Sequence, residues 1–173
     1  PQITGIITLL NDHTVARTIE LCLARHGDPG FPFTWLAFGS EGRREQTLAT
    51  DQDNGIYFEP PPELGVERAR ARLLPLAEAI NHALNRLGFP LCKGKVMASN
   101  PALCLSGEEW RRRFLAMIDS ATPDNLLNST IYFDLRPIWG PTHDVDAMYR
   151  RVLDHAADNG IFLRLLAANA LRR

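Results

Sequence analysis

The sequence predicts an α/β (α+β) protein: a small mixed sheet flanked by helices, with a leading helix and a C-terminal helical segment. Three observations predict it. Short aromatic or β-branched runs stop at glycine or proline, amphipathic stripes at three- and four-residue spacing separate them, and polar signatures cluster where the runs end. With 173 residues, 45% of them hydrophobic, the chain can bury a core of its own. In such folds ligand sites form at strand ends.

From Thr4 to Arg25 the apolar positions Ile6, Leu9, Leu10, Ala16, Ile19 and Leu23 follow helical spacing, and Gly27-Asp28-Pro29-Gly30 breaks it. Phe33 to Phe38 reads as a buried strand running into a turn at Gly39, and Ser40 to Leu48 as a short charged helix. Asp53 to Phe58 alternates polar and apolar residues, so a second strand is expected, antiparallel or mixed with the first, ended by Pro60-Pro61-Pro62. Val66, Ala69, Leu73, Leu76, Ile80, Leu84 and Leu87 form the strongest helical stripe; Pro75 should kink or divide it and Gly88 should end it. Ser106-Gly107-Glu108-Glu109 fits a capping box before Trp110, Phe114, Leu115 and Ile118, predicting a helix from about Gly107. Thr130 to Leu135 is expected to be a third strand, ended by Pro137; Val145, Met148, Val152 and Ala156 predict another helix, and Ile161 onward the last.

Lys plus Arg number 19 against 20 Asp plus Glu, a balance that gives no electrostatic reason to propose general binding to nucleic acid or a membrane surface. No apolar run approaches the roughly 20 residues of a membrane helix, and no signal core follows the N-terminus. Cys22, Cys92 and Cys104 lack CxxC spacing and sit among aliphatic neighbours, which suits reduced, mostly buried thiols and a cytoplasmic location. The five histidines show no ligand or triad spacing, and no GxSxG or complete P-loop is present. Pro1 is no initiator, and the final helical pattern has no stop signal, so the chain reads as a piece of a longer protein.

Chemistry concentrates in two places. In Gly39-Ser40-Glu41-Gly42-Arg43-Arg44 two glycines bracket a hydroxyl at a strand-to-helix turn, where backbone amides attract phosphate oxygens. Arg43 or Arg44 can neutralise a polyphosphate by charge-assisted hydrogen bonds. Taken alone, an exposed turn before a charged helix explains these residues as well. Asp51-Gln52-Asp53 follows, and in an extended segment its two carboxylates project to one face and can grip a hard cation, Mg²⁺ or its substitute Mn²⁺. An Asp-rich loop cap is the plain alternative, weakened by the adjacent glycine-serine turn. Lys95, in Lys93-Gly94-Lys95, can face a triphosphate or acceptor across the cleft, though an exposed basic turn explains it equally.

Trp35-Leu36-Ala37-Phe38-Gly39-Ser40, with Asp51 and Asp53 downstream, resembles the signature of the nucleotidyltransferase superfamily related to DNA polymerase beta. More closely, GSEGRREQTLATDQDNGIYF, LCKGKVMASNP and IYFDLRPIWG together resemble the nucleotidyltransferase domain found after cyclic-nucleotide-binding and CBS domains in bacterial proteins, itself similar to the catalytic part of the protein-PII uridylyltransferase. The resemblance implies a nucleotidyltransferase core over residues 31–142, after a leading helix over 1–30 and before the start of a helical segment over 143–173. It implies catalytic and metal-binding roles for Asp51, Asp53 and a third carboxylate, Asp134, and nucleotide binding at the Gly39-Ser40 turn, while Arg43, Arg44 and Lys95 are nucleotide-binding candidates on their charge and position. An Asp in an apolar strand is costly to bury without a cation; pairing with Arg136 or another cation would serve as well. The implied reaction is Mg²⁺-dependent transfer of a nucleoside monophosphate from a triphosphate to a hydroxyl acceptor, a protein tyrosine if the uridylyltransferase is the guide, with small molecules and nucleic acid left open. The competing reading is a catalytically silent nucleotide-binding module coupled to sensory domains. The C-terminal helices leave room for oligomer formation.

Overall fold

The computed structural model describes residues 2–45, 51–120 and 122–170. In chain order the elements are α1 (Gln2–His26), β1 (Phe33–Ala37), α2 (Gly39–Gly42), β2 (Asn54–Phe58), α3 (Val66–Arg86), a 3-10 turn (Pro101–Leu103), β3 (Cys104–Ser106), α4 (Gly107–Asp119), α5 (Pro123–Tyr132), β4 (Arg136–Trp139), α6 (His143–Asp158) and α7 (Gly160–Ala170). The four strands lie in the order β3-β2-β1-β4, with β1 antiparallel to both β2 and β4, and β2 parallel to β3. This is the mixed sheet flanked by helices that the sequence predicts.

Period-two alternation sorts each central strand between two cores. Phe33, Trp35, Ile56 and Phe58 face α1 and α3, where Val15, Ile19, Leu73, Leu76, Ile80 and Leu84 complete one apolar layer. Leu36, Phe38 and Tyr57 face the other way, into a layer built by Trp110, Phe114, Met148 and Phe162. The Trp110 indole N–H donates to the Ile56 carbonyl at 2.9 Å, which pins α4 to β2 without leaving a buried donor unpaired. Ser106 caps α4: its hydroxyl accepts from the Glu109 amide, and the Glu109 carboxylate takes the Ser106 amide at 2.8 Å, the reciprocal box read from the sequence. Buried Arg70 bonds the Cys104 carbonyl and the Glu109 carboxylate, both at 2.6 Å, and so ties α3 to β3 and α4.

Two expectations are corrected. Thr130 to Leu135 is not a strand; Thr130 to Tyr132 belongs to α5, and a turn carries Phe133, Asp134 and Leu135 into β4. The β-branched residues there are overruled by a strong start signal, since the Thr122 side chain accepts from the Asn125 amide at 3.2 Å and Pro123 occupies the first turn. Pro137 does not end a strand but lies inside β4, which is tolerable because β4 is an edge strand. Pro75 does not divide α3 either; it sits on the exposed side and forfeits one backbone bond within a continuous helix. The short parallel strand β3 was not expected. Of the helix predicted over Ser40 to Leu48, only the single turn α2 is seen among the described residues, and 46–50 lie outside them.

The underside of β2 is held by side-chain amides. Asn81 of α3 donates to Gln52 Oε1 at 2.8 Å and Asn54 Oδ1 at 3.0 Å, Gln52 donates to the carbonyls of Asn81 and Phe89, and Asn54 Oδ1 also receives the Ala98 amide. All three are almost fully buried. Asn81→Ala should therefore strand several buried polar atoms and lower stability by about 3 kcal/mol, read as a lower urea midpoint at unchanged slope.

Candidate functional site

The candidate site lies where β1 ends and β2 begins. Phe38 donates its amide to the Asp53 carbonyl at 3.0 Å, which brings the glycine-serine turn and the DxD segment side by side. Gly39 has φ +55, and a Cβ there would stand 3.3 Å from Asp53 Oδ2, so the carboxylate rests directly against the turn. Because α2 is one turn long, the amides of Gly39, Ser40 and Glu41 precede its first backbone bonds, which run from Gly42 to Phe38 and from Arg43 to Gly39. Ser40 is half-buried within that turn.

Alternation through Asp51-Gln52-Asp53-Asn54 holds as expected. Gln52 and Asn54 enter the buried amide cluster, while Asp51 is exposed and Asp53 half-buried on the other side. Burial pushes the Asp53 carboxyl up to about 6, a hydrogen bond from the Cys92 thiol opposes that rise, and the charge of Asp51 adds to it. The loop after α3 closes against this point: the Asn54 amide donates to the Val96 carbonyl at 3.1 Å, which sets Lys95 beside the DxD segment. Among the described residues, Arg44 (φ +59) and Lys95 (φ +57) are the non-glycine residues with left-handed backbone. Both are predicted nucleotide ligands, and strained backbone concentrates at functional sites.

Arg43 and Asp134 are brought together with each other. An Arg43 guanidinium nitrogen donates to Asp134 Oδ2 at 2.5 Å and its Nε to Glu45 at 2.7 Å. The cation facing Asp134 is thus Arg43 and not Arg136, which pairs with Asp12 at 2.7 Å and donates to the backbone carbonyls of Glu41 and Gly42. A Cβ on Gly42 would overlap the Asp134 carbonyl oxygen, so the two turns touch backbone to backbone. Among the described residues no three His, Cys, Asp or Glu side chains are grouped to hold a metal ion.

The most perturbed acid near the site is one that sequence reasoning passed over. Glu41 is only 6% exposed, accepts from the Asp53 amide at 3.4 Å, and is driven up to about 8 by burial, with Asp53 and Asp12 raising it further and Arg136 opposing. Its burial comes from tertiary cover that no local pattern announces. Tyr132 was missed too; it is buried within electrostatic reach of Asp53 and Cys92 and carries the Arg113 guanidinium over its ring at 4.6 Å.

Three acids, buried Glu41, exposed Asp51 and half-buried Asp53, lie at or beside the glycine-serine turn. Asp51 and Asp53 are the carboxylate pair of this set, and the charge of Asp51 helps to raise Asp53. This pairing of a phosphate-suited turn with a carboxylate pair accords with the comparison to known families, where the model described as "Putative nucleotidyltransferase DUF294" matches residues 1–124. The chain belongs to that family. No curated protein matches it. The family match takes in α1, the glycine-serine turn, the DxD segment and the lysine loop, whereas Asp134 and helices α6 and α7 lie beyond it. None of the described helices in this family member is long and apolar enough to cross a membrane.

The raised carboxyls make a pH prediction. A folded-state value above the ordinary 4.5 means that the folded protein holds the Glu41 proton more tightly than the unfolded chain does. Stability from this group is therefore present below about 4.5 and is lost as pH rises towards 8. Melting temperature should fall over that window, and Glu41→Gln should flatten the fall; an unchanged slope in the variant would show that the carboxyl is already ionised.

Proposed function

We propose that this family member transfers a nucleoside monophosphate from a nucleoside triphosphate to a hydroxyl acceptor in a Mg²⁺-dependent reaction. The observation that carries the reading is the contact of the Asp53 carboxylate with the Gly39 turn, with Asp51 close enough to raise its pKa. The Gly39–Glu41 amides and the Ser40 hydroxyl bind phosphate oxygens and fix their direction, while Arg44 and Lys95 offset the remaining negative charge. Asp51 and Asp53 are the residues that would hold the metal. A bound divalent cation would supply charge neutralisation to the triphosphate and to the leaving pyrophosphate. Asp134, now paired with Arg43, is the carboxylate that would take the proton of the attacking hydroxyl, and it would be a further candidate to hold the metal beside Asp51 and Asp53. A protein is the proposed acceptor, on the resemblance to the protein-PII uridylyltransferase, and association with CBS and cyclic-nucleotide-binding domains is the proposed context.

One observation favours a second reading. Asp134 is already neutralised by Arg43, as would suit a module that binds nucleotide and reports on it without transfer. Incubation with labelled triphosphates, Mg²⁺ and cell extract separates the two: a labelled acceptor supports the enzyme, and saturable binding without label supports the module.

Both readings share a nucleotide site. Asp51→Asn with Asp53→Asn should abolish Mg²⁺-dependent triphosphate affinity in a titration by calorimetry, and an affinity that survives intact would remove these residues from the site. Ser40→Ala should cost about 1 kcal/mol, roughly fivefold in Kd, because one hydroxyl donor is lost while the amides remain.

A further inference from the structure

The C-terminal halves of α1 and α3 lie side by side and enclose an open groove of about 480 Å³, away from the glycine-serine turn. Buried Cys22 and half-buried Ala79 and Ala83 lie along it, and Leu21 and Leu87 border it at 55% and 59% exposure. The charged residues lining it are Arg25 and Arg86, joined by His26 and His82; no acid lines it, and Glu78, outside the lining, stands 3.8 Å from His82. Among the described residues neither arginine has an ion pair or side-chain hydrogen bond, yet both guanidinium groups stand close enough to the Cys22 thiol to favour its ionised form against burial.

A cation in the last turn of a helix offsets the carbonyl dipoles there, which accounts for part of this charge. It does not account for the exposed leucines that line the same groove. Nor do they stand alone: Leu10 and Ile3 precede Leu21 by about three and five whole turns of α1, so they share its face, and they are 61% and 76% exposed. Exposed apolar residues spaced along one side of α1, with Thr14 and the Arg17–Glu20 pair between Leu10 and Leu21, adjoin a groove lined by two cations and no acid, and together they complement one chemistry, apolar on one side and anionic on its flanks. A furrow between two helices fits a third helix laid along it.

We propose that this surface docks an acidic amphipathic helix of a partner protein, with leucine-type side chains against Leu10, Leu21 and Leu87 and carboxylates against Arg25 and Arg86. The inference is independent of whether the family member transfers nucleotide.

The probe is a fluorescein-labelled helical peptide of about five turns, leucine on one face and glutamate on the others, titrated with the whole chain and read by anisotropy. Saturable binding is expected, weakened at least ~10-fold by Arg25→Glu with Arg86→Glu and regained by that variant when lysine replaces the peptide's glutamates. These positions are exposed, so unchanged melting temperatures confirm that the variants fold. Absence of saturable binding, equal binding of a scrambled peptide, or indifference to the charge reversal overturns the proposal. So does sedimentation showing a dimer that Leu21→Glu dissolves, which assigns the surface to a second copy, or preference for phosphatidylserine vesicles over the peptide, which assigns it to a membrane.

Discussion

Three buried amides, Gln52, Asn54 and Asn81, set the position of everything that carries chemistry. They occupy the underside of the segment whose upper side presents Asp51 and Asp53, and they reach α3, the carbonyl of Phe89 and the loop amides of Ala98 and Ser99. An apolar underside would have buried equally well, but hydrophobic contact is non-directional and tolerates slippage. Directional bonds to three separate pieces of chain do not. The register of the carboxylate pair, and the place of the lysine loop beside it, follow from the same few donors and acceptors.

On that frame the site gathers more acid than its immediate surroundings neutralise. Asp53 is pushed to about 6 and Glu41 to about 8, each chiefly by burial and each worsened by a neighbouring carboxylate. Arg136, the cation that opposes the rise at Glu41, is shared with Asp12 and two backbone carbonyls. Crowding of this kind costs stability, and it is the sort of cost that functional sites carry.

Local signals were the legible ones. The Ser106 to Glu109 box, the buried apolar run of β1, the strand β2 and the stripe of α3 each rest on residues a few positions apart, and each holds in the structure. The contact of Gly39 with Asp53 was foreshadowed by spacing and by family resemblance together. Where long-range packing decides, reading failed. Thr130 and Ile131 have strand-like side chains, but Thr122 and Pro123 start a helix that carries them along. Glu41 looks like any charged turn residue until the fold covers it. Alternation did contain the signal for Gln52 and Asn54, since residues flanking Asp53 on the opposite face must be buried and therefore bonded.

Gly42 has a mechanical meaning. With no room for a side chain between it and the Asp134 carbonyl, the glycine-serine turn and the turn before β4 meet as two bare backbones, and Arg136 clamps the joint and fastens it to α1 through Asp12. Rotamer changes are the softest way for packed elements to absorb a displacement, and this joint has none at its point of contact. A displacement of the turn would therefore reach the segment before β4 by backbone contact, and α1 only through the side chains of Arg136 and Asp12.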